Sequence, residues 1–268
     1  MPYSQVKKYG LKFILQPMLT PYLGILFNMP TDISKNNSIY NFQEKHTKII
    51  LEQLPKDNAL FQFQSIPEYN NWLPFYFAGF EQTTRYTYIL KDIKDSEKTY
   101  SGFSLNLRKE IEQGYDDFVL EESENICLVF ELMKKQIQST NKKFNINKNT
   151  IKLLDKELSK RNQRKILIAR NKAGKIKAGI FICWDSNTAY LMGLGIDRKI
   201  DTNNSTKSLM WEAIKKASEY VDYFNFEGSM IPGVELLYRR FGGELTPYFE
   251  IKKYKNKFFK SLFLFMNK

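Results

Sequence analysis

The residues best placed to do chemistry in this sequence cluster in its last third. The string Phe224-Asn225-Phe226-Glu227-Gly228-Ser229-Met230-Ile231-Pro232-Gly233 puts a carboxylate, a glycine and a hydroxyl directly after a short aromatic strand pattern. Open α/β sheets gather their ligands beyond the carboxyl ends of their strands. Glu227 is therefore a candidate general base or amine-binding carboxylate, with Ser229 beside it as a substrate contact. The same residues also suit a plain turn, in which Gly228 relaxes the backbone and the acid caps it. Downstream, Tyr238-Arg239-Arg240-Phe241-Gly242-Gly243 and Thr246-Pro247-Tyr248 add Arg239 and Tyr248 as candidate substrate contacts.

A second group lies earlier. Arg85, Tyr86 and Tyr88 on one strand pattern, with Asn106 and Arg108 on the helix after it, combine cations and aromatic faces suited to an anionic, nucleotide-linked acceptor. They equally suit a solvated face. His46, the one histidine, falls on a helical pattern of the first half and reads as structural or exposed. Cys127 and Cys183 lie in apolar strings without metal-ligand spacing, which fits a reducing compartment and a protein with no metal site.

The elements that must position these groups belong to a folded α/β chain. At 268 residues, with 43% hydrophobic and 15% aromatic residues, one large or two modest domains can each bury a core. A net charge of +12 and a pI of about 9.4 suit a polyanionic partner such as nucleic acid, nucleotide or an anionic membrane. The abundance of Lys, Asn, Ile, Phe and Tyr suits an AT-rich genome as well. Gln5–Ile14 mixes lysines with apolar residues and carries no cleavage pattern, and no apolar run reaches the roughly 20 residues of a membrane helix, so a cytoplasmic location is expected.

Periodicity predicts a strand over Tyr9–Gln16, a helix over Phe42–Leu54, a strand over Ala59–Gln64, and a helix from Pro67 to Gly79. A strand over Thr83–Leu90 and a helix over Ser104–Gln113 come after them. The second half reads as helices Asn125–Ile137 and Thr150–Lys160, then an antiparallel meander of Lys165–Arg170, Lys177–Trp184 and Thr188–Leu194. Next come a helix from Ser205 to about Tyr220, a strand Tyr223–Phe226, a helix Gly233–Phe241 and a strand Leu245–Ile251. The tail Lys252–Lys268 alternates lysines with Phe258, Phe259, Leu262, Phe263, Leu264 and Phe265. It suits either a membrane interface or a final strand and helix packed on the core.

The chain also repeats itself. Phe63–Leu90 and Phe226–Ile251 share strand, Ile-Pro, aromatic helix, Phe-x-Gly turn and Thr-containing strand, and each is preceded by a strand, a loop and a helix. This predicts two related halves, 1–118 and 119–268, the first abbreviated because it lacks the meander.

The order of elements over Asn125–Ile251 resembles the GNAT acyltransferase fold, and FEGS…IPG…YRRFGG…TPY behind a shorter similar half resembles the FemABX-type branch. The resemblance implies an α/β mixed-sheet architecture in tandem halves. The implied activity is N-acyl transfer, an aminoacyl group moving from aminoacyl-tRNA to the amine of a cell-wall precursor. The resemblance places Met192, Gly193 and Leu194 beside the reacting carbonyl, where the strands Thr188–Leu194 and Tyr223–Phe226 part and backbone N–H groups form an oxyanion site. It offers Tyr238 as general acid, a residue that equally reads as an interface aromatic. Acyl-CoA-using relatives carry a glycine-containing pyrophosphate loop at a helix N-terminus. The matching stretch Asp197–Ser208 has no glycine, which favours a tRNA-borne donor over acyl-CoA, although Asn204, Ser205, Thr206 and Lys207 still offer contacts to a phosphate.

Three functions therefore stand at the level of sequence. The first is a FemABX-like transferase whose amine acceptor is anionic or lipid-linked, with peripheral membrane contact through the basic aromatic tail. The second is an acyl-CoA-dependent GNAT acting on an amino sugar or small amine. The third is a non-catalytic RNA- or surface-binding module.

Overall fold

The computed structural model describes residues 1–8, 10–140, 143–200, 205–228 and 230–266. In chain order the elements are β1 (Ser4–Lys8), β2 (Leu11–Leu15), α1 (Asn36–Gln53), β3 (Leu60–Gln64), α2 (Leu73–Phe77), β4 (Glu81–Leu90), α3 (Ser96–Ser101), α4 (Leu105–Tyr115), β5 (Val119–Glu122) and α5 (Ile126–Gln138). They continue with α6 (Lys148–Lys160), β6 (Arg164–Arg170), β7 (Ile176–Trp184), β8 (Thr188–Ile196), α7 (Ser205–Ser218), β9 (Tyr223–Asn225), α8 (Pro232–Arg240), β10 (Glu244–Tyr254) and α9 (Lys257–Met266). The protein is a mixed α/β fold made of two compact units.

The smaller unit comprises Met1–Tyr86 and Pro247–Lys268. Its strands run in the order β1, β2, β3, β10. β1 and β2 form an antiparallel hairpin, β2 and β3 are parallel with Phe13 opposite Leu60, and β3 and β10 are antiparallel with Phe63 opposite Ile251. Side chains alternate between the faces of a strand, so neighbouring residues enter different cores. Ile14, Phe61, Phe63 and Ile251 join Tyr69, Phe75 and Phe80 in one cluster, flanked by Ile50 and Leu51 of α1. Phe13, Ala59 and Leu60 form another cluster, covered by Phe259 and Phe263 of α9.

The larger unit is Thr87–Thr246. β5, β6, β7 and β8 are successive antiparallel neighbours; β9 then lies parallel to β8 and antiparallel to the end of β4. Residues 166 to 169 of β6 are buried without interruption, because helices cover both faces of the sheet. On one face Ile180 and Ile182 pack with Leu209, Met210, Ala213 and Ile214 of α7 and with Leu107 and Ile111 of α4. On the other face α5 approaches so closely that a Cβ on Gly195 would lie 2.5 Å from Leu132 Cβ and from the Met133 backbone nitrogen. Ser104 Oγ caps α4 by accepting from Leu107 N–H, and Asn125 Oδ1 caps α5 by accepting from Cys127 N–H.

The structure departs from several sequence expectations. The strand expected over Tyr9–Gln16 is a hairpin strand preceded by a partner, β1, whose polar, charged composition hides it; Tyr9 itself lies outside the described residues. α2 begins at Leu73 rather than Pro67, because Pro74 can occupy only the first turn of a helix. α3 and β5 have no counterpart among the expected elements: α3 is a short polar helix capped by Asp95, and β5 is four residues long. The packing boundary also differs from the 118/119 division. β10 pairs with β3 of the first copy, and the last residues of β4, Ile89 and Leu90, pair with β9 of the second.

Candidate active site at the end of strand β9

Asn225, the last residue of β9, is 1% exposed and organises the turn after it. Its Oδ1 accepts a 2.7 Å hydrogen bond from the Thr87 hydroxyl and a 2.9 Å bond from the Glu227 backbone N–H. An Asx turn of this kind offers the backbone an alternative to continuing the strand. Glu227 accordingly takes φ +65° and Gly228 φ +63°, a region costly for a residue with a Cβ. The turn carries the Glu227 side chain inward. Although the residue as a whole is half-buried, its Oε1 atom is sealed from solvent and has no hydrogen-bond partner among the described residues. Burial without a compensating cation pushes this carboxyl up from 4.5 to about 8, because the charged form is the one that loses its hydration.

Tyr238, on α8, is buried and stacks on Phe226 at 4.9 Å between ring centroids. Burial, and then the negative charge of Glu227, push its hydroxyl up to about 12. The Cys183 thiol of β7 rises to about 12 through burial and then the charges of Glu227 and Asp185. The Glu227 carboxyl thus lies within electrostatic reach of both. Tyr238 remains a neutral O–H donor across the physiological range, and Glu227 holds its proton up to about pH 8, so that once ionised it is a stronger base than an ordinary carboxylate.

β8 supplies the third part. Its pairing with β9 covers only Thr188, Ala189 and Tyr190, yet β8 continues to Ile196. The register against β7 shifts where Phe181 pairs with Gly193 and Ile182 with Leu191, which leaves Met192 as the extra residue of a β-bulge. Bulges re-aim the chain beside functional sites. Met192, Gly193 and Leu194 therefore lie on the stretch of β8 that has left its parallel partner. Gly193 and Gly195 face α5, and Met133 Sδ would lie 2.9 Å from a Cβ on Gly193.

The other candidates are more widely spread. Tyr88 donates a 2.6 Å hydrogen bond to Glu235 Oε1, and Arg239 Nε lies 3.7 Å from the same oxygen, so these two join through α8 in the larger unit. Asn106 is exposed on α4 and Arg108 half-buried. Arg85, Tyr86 and Tyr248 belong to the smaller unit. There Arg85 is engaged by the buried Glu250 at 2.9 Å, and Tyr248 is buried edge-on against Tyr22. Ser205 and Thr206 open α7 and are buried, while Lys207 pairs with Glu110 at 3.1 Å. Asn204 and Ser229 lie outside the described residues. Sequence reasoning missed Thr87, Asn225 and Glu235, although an Asn two residues before an acid-glycine pair is a readable sign of an Asx turn.

No protein-family model matches the chain, and no curated protein matches it. The solved structures do show a likeness. FemX aligns over 92% of this chain and 82% of its own at a TM-score of 0.60 and 11% identity. The fold is similar to that of FemX. L-PGS of Bacillus licheniformis aligns over 95% of this chain and 81% of its own, with a TM-score of 0.57 and 11% identity. The C-terminal domain assigned to a lysylphosphatidylglycerol synthetase of Agrobacterium fabrum covers 98% and 83%, with a TM-score of 0.58 and 11% identity. At these identities the likeness shows the fold alone. The placement of Glu227, Tyr238 and the bulged stretch of β8 comes from this chain's own geometry.

Proposed function

We propose that the protein is an acyltransferase that moves an activated acyl group onto an amine, and that Glu227 and Tyr238 carry the transfer. One observation supports this above the others: Glu227 presents a sealed carboxyl oxygen beyond the strand end with no hydrogen-bond partner among the described residues, where a structural carboxylate is ordinarily given a donor or a cation. The amine attacks the acyl carbonyl in its neutral form. A new N–C bond forms, the C–O bond of the donor ester breaks, Glu227 takes the proton lost by nitrogen, and the Tyr238 hydroxyl gives its proton to the departing oxygen. Backbone N–H groups of Met192–Leu194 stabilise the carbonyl oxygen as it becomes negative. No covalent enzyme intermediate is needed, and positioning supplies much of the acceleration.

The donor in this reading is aminoacyl-tRNA. Lys207, the one cation among the candidate phosphate contacts for coenzyme A, is spent on Glu110, and the +12 net charge suits a polyanionic carrier. The acceptor is an anionic or lipid-linked amine. Peripheral membrane contact through α9 belongs to the same reading. Phe258 and Phe265 of that helix are 70% and 80% exposed, opposite the Phe259 and Phe263 face that covers the core. No helix among the described residues is long and apolar enough to cross a membrane.

The test is transfer of radiolabelled aminoacyl groups from a mixed charged-tRNA pool to amine acceptors, a cell-wall precursor peptide first. Wild type forms an amide product and Glu227→Gln loses it. Stabilisation by acyl-CoA together with acetyl transfer would move the reading to a coenzyme donor. RNA binding without transfer, unchanged in Glu227→Gln, would refute catalysis.

A further inference from the structure

The smaller unit contains a cavity of about 540 Å³ that none of the chemistry above uses. All its lining residues fall within Met1–Tyr86 and Pro247–Lys268. Leu51 of α1, Leu54 just after it, Phe61 of β3 and Phe80 form an apolar interior, with Phe77 of α2 at its wall. Phe77 is 67% exposed, and Leu73 and Tyr76 of the same helix are exposed with it, a grouping that single scattered exposed residues do not make. The polar part of the lining has mostly one sign. Lys48, Lys56, Lys253 and Lys255 line it against the single acid Glu52. Lys48 and Lys255 are neutralised by Glu44 and Asp57. Lys253 donates to the Ala78 carbonyl at 2.6 Å and lies 5.1 Å from the Phe80 ring centroid, two contacts that hold its ammonium group beside the cavity without cancelling its charge. Lys56 is exposed and has no ion-pair partner among the described residues.

A cavity with an aromatic and aliphatic interior and uncompensated ammonium groups matches one ligand chemistry, an apolar body of one chain or ring system ending in a carboxylate or phosphate. The volume is ordinary for a small-molecule site. Such a ligand buries its body against Phe61, Phe77 and Phe80 and pairs its head with Lys56 and Lys253. We propose that this cavity binds an anionic amphiphile, drawn either from free solution or from an anionic bilayer. The proposal is independent of acyl transfer.

The probe is 11-(dansylamino)undecanoate, with its methyl ester as the uncharged control, titrated into the full-length protein. The expected result is saturable one-to-one binding with blue-shifted emission. Affinity falls at least tenfold for the ester, for Phe77→Asp and for Lys56→Glu, while circular dichroism and thermal midpoint stay unchanged, because both side chains are exposed. Equal binding of acid and ester, or no effect of either substitution in a folded variant, overturns the proposal. Flotation with phosphatidylglycerol vesicles then distinguishes the sources. Loss of flotation in Phe77→Asp identifies a bilayer lipid. Flotation that depends on Phe258 and Phe265 alone, or none at all, with dansyl binding retained, identifies a free amphiphile.

Discussion

Replacing Glu227 by Gln removes the charge and keeps the shape, and the structure fixes what stability should do. The carboxyl rises from 4.5 to about 8 on folding, so across that window the folded state holds a proton that the unfolded state has released. Stability therefore falls as pH rises from 4.5 to about 8 and is flat above it. At about 1.36 kcal/mol per pH unit, the full window of about 3.5 units corresponds to at most about 5 kcal/mol. Between pH 6 and pH 8 the wild type should lose about 2 to 3 kcal/mol. This interval isolates Glu227, since Asp155, raised by burial, starts from 3.8 and the Cys183 thiol and Tyr238 hydroxyl titrate near 12. Urea unfolding at pH 6, 7 and 8 is the assay. Glu227→Gln should show less than half of the wild-type decline, and its transfer rate should fall by about two to four orders of magnitude. Parallel declines in the two proteins would refute the burial of this carboxyl and, with it, its role as a strong base.

Contacts elsewhere give three further expected outcomes. Asn225→Ala strands the Thr87 hydroxyl and the Glu227 N–H together and should cost about 2 to 4 kcal/mol in unfolding free energy by denaturant titration, while moving the pH-rate profile of the remaining transfer toward the ordinary carboxylate range. Gly195→Ala drives a methyl group into Leu132 and the Met133 backbone; thermal unfolding should report a loss of about 1 to 3 kcal/mol. Arg85→Met leaves Glu250, 3% exposed, with Lys252 as its remaining ion pair at 2.5 Å. Burial raises that carboxyl and the bonds from Lys252 and Arg85 more than offset it, so wild-type stability from this group is present above the ordinary carboxylate range and lost on acidification, and the variant should unfold at a higher pH in an acid titration.

How much of this was legible in the sequence depends on how far each signal reaches. The meander β6–β8 and helices α5 and α7 announced themselves because their apolar periods are long and both faces of the sheet are covered, as the unbroken burial of residues 166 to 169 records. β1 and β5 did not, since a short strand of polar residues takes its identity from its partner, here β2 and β6. The repeat was readable as a pattern, but its packing was not. Nothing local in Thr83–Leu90 or Leu245–Ile251 says that the first ends against β9 and the second pairs with β3, because pairing over such separations is decided by the whole fold. At the candidate site, Glu227 and Tyr238 were singled out from type and position. The Thr87–Asn225 bond that sets the turn spans 138 positions and left no local trace, and Arg85 looked free because its partner Glu250 is 165 positions away.

If the proposed transfer is right, the repeat also bears on why the second copy would carry it. In the pairing of Phe63-Gln64 with Phe226-Glu227, the first copy has an amide where the second has an acid. Gln64 ends β3, which lies parallel to β2, and Glu227 follows the end of β9, which lies parallel to β8, but Gln64 is still in the strand while Glu227 has turned out of it at φ +65°. Each residue is held through its N–H: Gln16 Oε1 accepts from the Gln64 N–H at 2.6 Å, and Asn225 Oδ1 accepts from the Glu227 N–H. An amide cannot take a proton from an amine, whereas a carboxyl held near 8 by burial can. In the proposed reading, the first copy holds its residue through the same kind of N–H contact but has no group there that could act as a base. Its sheet instead closes over an apolar core lined by Phe61 and Phe80, residues that also wall the lysine-rimmed cavity. In the proposed reading one architecture serves two ends: in the second copy it buries a carboxyl, and in the first it encloses apolar volume.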